Sequence, residues 1–285
     1  MRGQPSACEV HTPETLAGAL AFRAGNPDWR PLAGGTDLMV PFAAGRLGDQ
    51  RFLNLWGLRE LKGILASEDA VLIGALASYR AIAAHPVIQA RLPNLVASAR
   101  ATGALAIQGR GTLGGNLVNG SPAADSPPSL LVYEAEVELA SVRGGRWIPY
   151  AAFHTGYRAN AMAPDELLTC IRVPLPPEGG VHYFRKVGTR QAQAIAKLSL
   201  AGWALPRQGR LAEIRLALGS VAPVPVRALH AETVLRGAPL SALPLSAARE
   251  ALQADIAPID DLRSSARYRR RVAGNLLEEA LAALI

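Results

Sequence analysis

The stretch Gly109 to Ser126 reads G-R-G-T-L-G-G-N-L-V-N-G-S-P-A-A-D-S, with five glycines and two asparagines in eighteen positions. By propensity it is too irregular for a helix and too long for a hairpin turn. Glycine lets the backbone approach a bulky ligand and turn without steric cost, so that successive peptide N–H groups can converge on an anion. The stretch therefore reads as a loop that holds phosphates. A second loop of this kind lies upstream, P-L-A-G-G-T-D-L at 31–38. Two such loops suit two contacts on one large charged ligand, and a dinucleotide fits better than a mononucleotide. Tight turns in a compact chain are the plain alternative. Asp37 and Asp125 weigh against it, because each sets a carboxylate beside a glycine loop where it can accept hydrogen bonds from hydroxyl or amide groups.

Other chemistries find less support. Gly109, Gly111 and Gly114 satisfy G-x-G-x-x-G, but a Rossmann fingerprint stands between a strand and a helix. Here the motif runs into Asn116, Asn119, Gly120 and three prolines. There is no Walker G-x-x-x-x-G-K-[ST] and no G-x-S-x-G. The five histidines (His11, His85, His154, His182 and His230) are dispersed, with no metal-ligand or triad spacing. Cys8 and Cys170 are too few and too far apart for a disulfide framework or a four-cysteine cluster. No metal site and no catalytic acid or base is expected.

Composition bounds the class. With 285 residues, 49% hydrophobic and 19% charged, the chain can bury a large core and suits more than one domain. The net charge of +7 comes from scattered arginines without a Lys/Arg run interleaved with aromatics, so no nucleic-acid partner is expected. No apolar run approaches the length of a transmembrane span, and the first residues lack the apolar segment of a signal peptide. A cytoplasmic location follows as an expectation.

Along the chain, Thr12 and Pro13 open a helix that stops at Gly25. A short strand breaks at Gly34-Gly35 and resumes at Leu38. Strands are expected at 51–55, 70–74 and 137–142, with one within 164–176. Ser78 caps a helix through Ala84, and another helix runs from Pro93 to Ala104. Pro174, Pro176 and Pro177 with Gly179-Gly180 mark a boundary. Beyond it come strands at 181–187, 193–205 and 211–219, then helices near 227–236, 246–254 and 264–284. That order suggests an α+β second domain.

These residues bear a family resemblance. L-A-G-G-T-D-L (32–38) and G-T-L-G-G-N-L-V-N-G-S-P-A-A-D-S-P-P (111–128) resemble the two FAD-binding signatures of the medium, flavoprotein subunits of molybdenum hydroxylases. That family includes aerobic carbon monoxide dehydrogenase and xanthine-dehydrogenase-like enzymes. The likeness continues through 156–158, 164–174, 183–197, 219–227 and 263–271. It implies a vanillyl-alcohol-oxidase-type FAD-binding domain over 1–176, in two α/β subdomains (about 1–57 and 58–176), followed by a smaller α+β C-terminal domain over 177–285. It further implies that Leu32, Ala33, Gly34, Gly35, Thr36 and Asp37 wrap the FAD pyrophosphate, with Thr112, Gly115 and Asn116 completing the wrap. Asp125 would hold polar groups of the cofactor, Leu168 would pack near the flavin or adenine, and Lys186 would stand near the isoalloxazine ring.

The implied role is electron transfer from the [2Fe-2S] clusters of a small partner subunit through FAD to an acceptor. A large molybdopterin-binding subunit carries out the hydroxylation, in a dimer of heterotrimers. The alternative is a stand-alone FAD-dependent oxidoreductase of the same fold. One departure stands out: A-I-Q-G-R-G-T (106–112) replaces the family's usual Q-I-R-N-R-G-T, so Ala106, Gln108 and Gly109 stand where larger polar groups are common.

Overall fold

The computed structural model describes residues 8–47 and 50–284. It is an α+β chain organised on three main sheets. The first is parallel, formed by β1 (Cys8–His11), β2 (Arg30–Leu32) and β3 (Gln50–Asn54) in the order β1-β3-β2. Helices α1 (Leu16–Gly25) and α2 (Met39–Ala43) make its crossovers. Ala19, Leu53, Leu55, Leu58 and Leu61 form its small core together with Leu76 and Leu167.

Five antiparallel strands follow in the order β4-β5-β10-β6-β7: β4 (Ile64–Ala66), β5 (Ala70–Gly74), β6 (Glu136–Ser141), β7 (Gly144–Pro149) and β10 (Leu167–Pro174). The hairpin β8 (His154–Gly156) and β9 (Ala159–Asn160) stands apart as a two-stranded ribbon. Between β5 and β6 run six helices: α3 (Tyr79–Ala84), α4 (Pro86–Arg91), α5 (Pro93–Ala101), α6 (Leu105–Arg110), α7 (Leu113–Asn119) and α8 (Pro127–Val132). β10 is central because both its edges pair, Ile171 standing opposite Ile73 on one side and Val137 on the other. These three side chains are fully buried.

The third sheet is antiparallel, β11 (Val181–Val187), β12 (Leu198–Arg207), β13 (Arg210–Gly219) and β14 (Val226–Arg227) in chain order. Eight consecutive residues of β12 are buried, which is how a strand covered on both faces reads. Side chains alternate across a strand. Ala201, Trp203 and Leu205 join the core of the middle sheet, while Leu198, Leu200 and Ala204 join a second core. Helices α9 (Leu229–Leu235), α10 (Leu245–Asp255) and α11 (Ala266–Leu284) complete that second core. α11 contributes Ala273, Leu276, Leu277, Ala280, Leu281 and Leu284, the spacing of one helical face. Among the described residues, no helix is long and apolar enough to cross a membrane.

Several expectations need correction. The first helix starts three residues later than Thr12 suggests. Thr15 is the cap, its Oγ1 accepting from Gly18 N–H at 3.1 Å, whereas Thr12 Oγ1 is engaged by Asn54 Nδ2 at 3.2 Å. No strand resumes at Leu38. Met39 N–H returns to the Gly35 carbonyl at 2.9 Å and starts α2 instead. The strand expected from 193 begins only at Leu198, because Gln193 turns the chain at φ 51°. The Gly109–Ser126 stretch is not irregular throughout. It contains the end of α6 and all of α7, a helix of glycine and asparagine that tertiary hydrogen bonds hold in place.

Candidate functional site: a cleft between two glycine loops

The first loop, Ala33–Asp37, leaves β2 and turns into α2. Gly35 takes φ +75°, a conformation in which a Cβ is strained. At Gly34 space is the constraint: a Cβ would lie 1.9 Å from the Arg110 carbonyl oxygen. The two loops thus meet backbone to backbone, and Arg110 Nε adds a bond to the Gly34 carbonyl at 3.1 Å. The Arg110 guanidinium lies 3.9 Å from the centre of the Trp56 ring, which fixes its direction. Asn119 Nδ2 donates to the Asp37 carboxylate, a further link between the loops. The backbone N–H groups of Gly34, Gly35, Thr36 and Asp37 meet no acceptor among the described residues.

The helical part of the second loop is held by bonds to its neighbours. Thr112 caps α7, its Oγ1 accepting from Gly115 N–H at 3.2 Å and its carbonyl from Asn116 N–H at 3.1 Å. Leu113 and Gly114 N–H donate to the carbonyls of Ala77 (3.1 Å) and Ala75 (2.9 Å). A Cβ on Gly114 would stand 2.6 Å from the Ala75 Cβ, so only glycine allows this approach. The first loop therefore carries an unbroken run of free backbone donors, Gly34 to Asp37, and the second supplies the surface it is held against.

Further along, Asp125 and Lys186 form a buried ion pair at 2.6 Å, their side chains 8% and 10% exposed. Lys186 Nζ also donates to the Ala101 carbonyl at 2.9 Å. Burial pushes the Asp125 carboxyl up to about 6, with Lys186 opposing that rise. One Asp125 oxygen, Oδ1, is buried without a partner, and so are Asn116 Oδ1, the Ser126 hydroxyl and the Tyr79 hydroxyl.

These elements enclose a cleft of about 1240 Å³. Ala33, Gly34, Gly35, Thr36, Asp37, Thr112, Gly115, Asn116, Asp125 and Leu168 all line it. Leu32 and Lys186 do not: Leu32 packs beneath Gly35, and Lys186 stands behind Asp125. The departing segment lies on α6, where Ala106 and Gly109 are exposed and Gln108 Nε2 donates to the Arg100 carbonyl at 2.9 Å.

Sequence reasoning assigned no site role to the remaining wall. Tyr157, Arg158 and Met162 come from the β8–β9 hairpin and its exit, Gln193–Ala196 from the loop before β12, and Ser220 and Ile259 from the last third of the chain. A backbone strain runs through this wall: Arg158, Gln193 and Ser220 all have positive φ (54°, 51° and 64°). Such conformations in non-glycine residues cluster at ligand sites. No histidine or cysteine is among the described residues that line the cleft. Unmatched donors on one loop and unmatched acceptors on the other are what phosphate oxygens and sugar or ribityl hydroxyls require, so the residues present fit a dinucleotide cofactor.

Known proteins agree with this geometry. Residues 6–176 match a family model described as the FAD binding domain in molybdopterin dehydrogenase, and residues 182–284 match the CO dehydrogenase flavoprotein C-terminal domain. The chain is 34% identical over 281 residues to the xanthine dehydrogenase FAD-binding subunit of Escherichia coli O157:H7, covering 96% of each. It is 32% identical over 284 residues to the carbon monoxide dehydrogenase medium chain of Afipia carboxidovorans, covering 97% of this chain and 96% of that one. A solved structure, reconstituted CO dehydrogenase from Oligotropha carboxidovorans, superposes with a TM-score of 0.93 at 29% identity, over 100% of this chain and 98% of that one. The chain belongs to the FAD-binding flavoprotein subunits of the molybdenum hydroxylase family, and its cofactor is FAD.

Proposed function

We propose that this chain collects electrons from the [2Fe-2S] clusters of a small partner subunit and delivers them to a terminal acceptor, while a large molybdopterin-binding subunit performs the substrate chemistry. Family membership supports the assembly, read here as a dimer of heterotrimers. The observation that carries the role is the makeup of the cleft. It offers donors, acceptors and apolar walls for a dinucleotide, and no histidine or cysteine on its described lining for covalent chemistry.

Within this reading the unpaired N–H groups of Gly34 to Asp37 hold the pyrophosphate, with Thr112, Gly115 and Asn116 keeping that loop in place. Asp125 accepts from cofactor hydroxyls and Leu168 supplies an apolar contact. Lys186 acts from behind, directing one Asp125 oxygen inward to itself and leaving the other for the ligand. Bound FAD supplies the ability to take electrons singly and give them up as a pair.

The test is anaerobic addition of the reducing substrate. In the assembled complex the flavin absorption band bleaches, whereas the same substrate leaves the flavin of the isolated chain oxidised. Bleaching in the isolated chain would instead identify a stand-alone oxidoreductase.

A further inference from the structure

Tyr79 is the first residue of α3, and the backbone fixes its place. Ser78 pairs antiparallel with Thr112, and Tyr79 N–H donates to the Gly111 carbonyl at 3.3 Å. The phenol ring is pressed on Gly111, where a Cβ would lie 3.2 Å from Tyr79 Cε2. Tyr79 is 3% exposed and forms part of the cleft wall. Its hydroxyl is buried without a hydrogen-bond partner, and it shares this condition with the neighbouring Ser126 hydroxyl, Asp125 Oδ1 and Asn116 Oδ1.

Burial drives the Tyr79 pKa far above its ordinary value; the nearby Ser126 hydroxyl opposes this, and the carboxylates of Asp125 and Asp37 add to it. The phenol is therefore a neutral donor that feels a carboxylate from each glycine loop. A buried hydroxyl that meets nothing is a net cost to the folded chain, and phenylalanine fills the same space without that cost. The donor gains a use only when a ligand occupies the cleft.

We propose that the Tyr79 hydroxyl is a further cofactor ligand, donating a hydrogen bond to an oxygen in the phosphate–ribityl part of FAD. The proposal rests on the cleft being the FAD site. It distinguishes Tyr79 from a packing residue, because a packing role needs the ring and not the oxygen.

The experiment compares the full chain with its Tyr79→Phe variant after FAD has been stripped from both. Thermal unfolding is measured without cofactor, and FAD is then titrated by its fluorescence. Without cofactor, Y79F melts at the wild-type temperature or above it, since an unmet polar group has been removed. Its FAD Kd rises about tenfold, the scale of one lost hydrogen bond. The stabilisation on adding FAD shrinks accordingly. A Kd within about twofold of wild type overturns the proposal, twofold being well below one hydrogen bond. A cofactor-free Y79F that melts lower also overturns it, because the hydroxyl then serves an internal bond. Wild-type chain that takes up no FAD defeats the underlying site reading before Tyr79 is at issue.

Discussion

Gly34 and Asp125 carry the two physical constraints of the cleft, one steric and one electrostatic. An alanine at 34 places its Cβ 1.9 Å from the Arg110 carbonyl, a backbone atom that cannot swing aside. G34A must part the two loops. Overpacking of this kind costs about 1–3 kcal/mol, so FAD affinity falls by about tenfold or more in a fluorescence titration. The sequence shows the glycine but not its reason, because Arg110 is far away in the chain.

Asp125 supplies a pH signature. Its folded value of about 6 lies above its ordinary 3.8. Between those values the folded chain keeps a proton that the unfolded chain has lost, so the stability of cofactor-free protein falls as pH rises through this window and levels off above it. FAD hydroxyls need the ionised acceptor, so affinity runs the opposite way and rises through about 6. Melting and FAD titration from pH 5 to 8 check both signs. D125N flattens both curves, and a wild type with parallel rather than opposed trends would contradict the assignment.

At the scale of elements, the Asp125–Lys186 pair ties the second glycine loop to β11 in the third sheet. K186M strands a buried carboxylate, a loss of about 3–5 kcal/mol, and the cofactor-free melting temperature drops by about 10 °C. Calorimetry on K186M/D125N recovers most of it, since the uncompensated charge is gone. The motif singles out Lys186 but not its ion pair with Asp125, which forms only on folding.

The elements themselves were legible where local chemistry decides them. The strands 181–187 and 211–219 show in their apolar patterning, and α3 shows in Ser78, whose Oγ accepts from Ala81 N–H at 3.2 Å. They were illegible where tertiary contacts override propensity. Leu-Gly-Gly-Asn is a poor helix start on its own. It becomes α7 because the carbonyls of Ala75 and Ala77 take its first N–H groups.

For the whole molecule, the cleft draws on all three sheets: β2 delivers one glycine loop, Leu167 and Leu168 of β10 form part of the wall, and the loops before β12 and after β13 supply further lining. The glycine-loop half was readable because its chemistry is concentrated in two short motifs. The rest of the lining was not, because Arg158, Gln193, Ser220 and Ile259 come from separate segments to which the likeness assigns no site role, and they meet only on folding. Three strained non-glycine residues, Arg158, Gln193 and Ser220, beside a polar cradle suit a built ligand site.

The most direct measurement is the visible spectrum of the purified chain before and after denaturation, with the released cofactor identified by chromatography. The account predicts about one FAD per chain, the occupancy of a single specific site. A colourless chain that also fails to take up added FAD would contradict it.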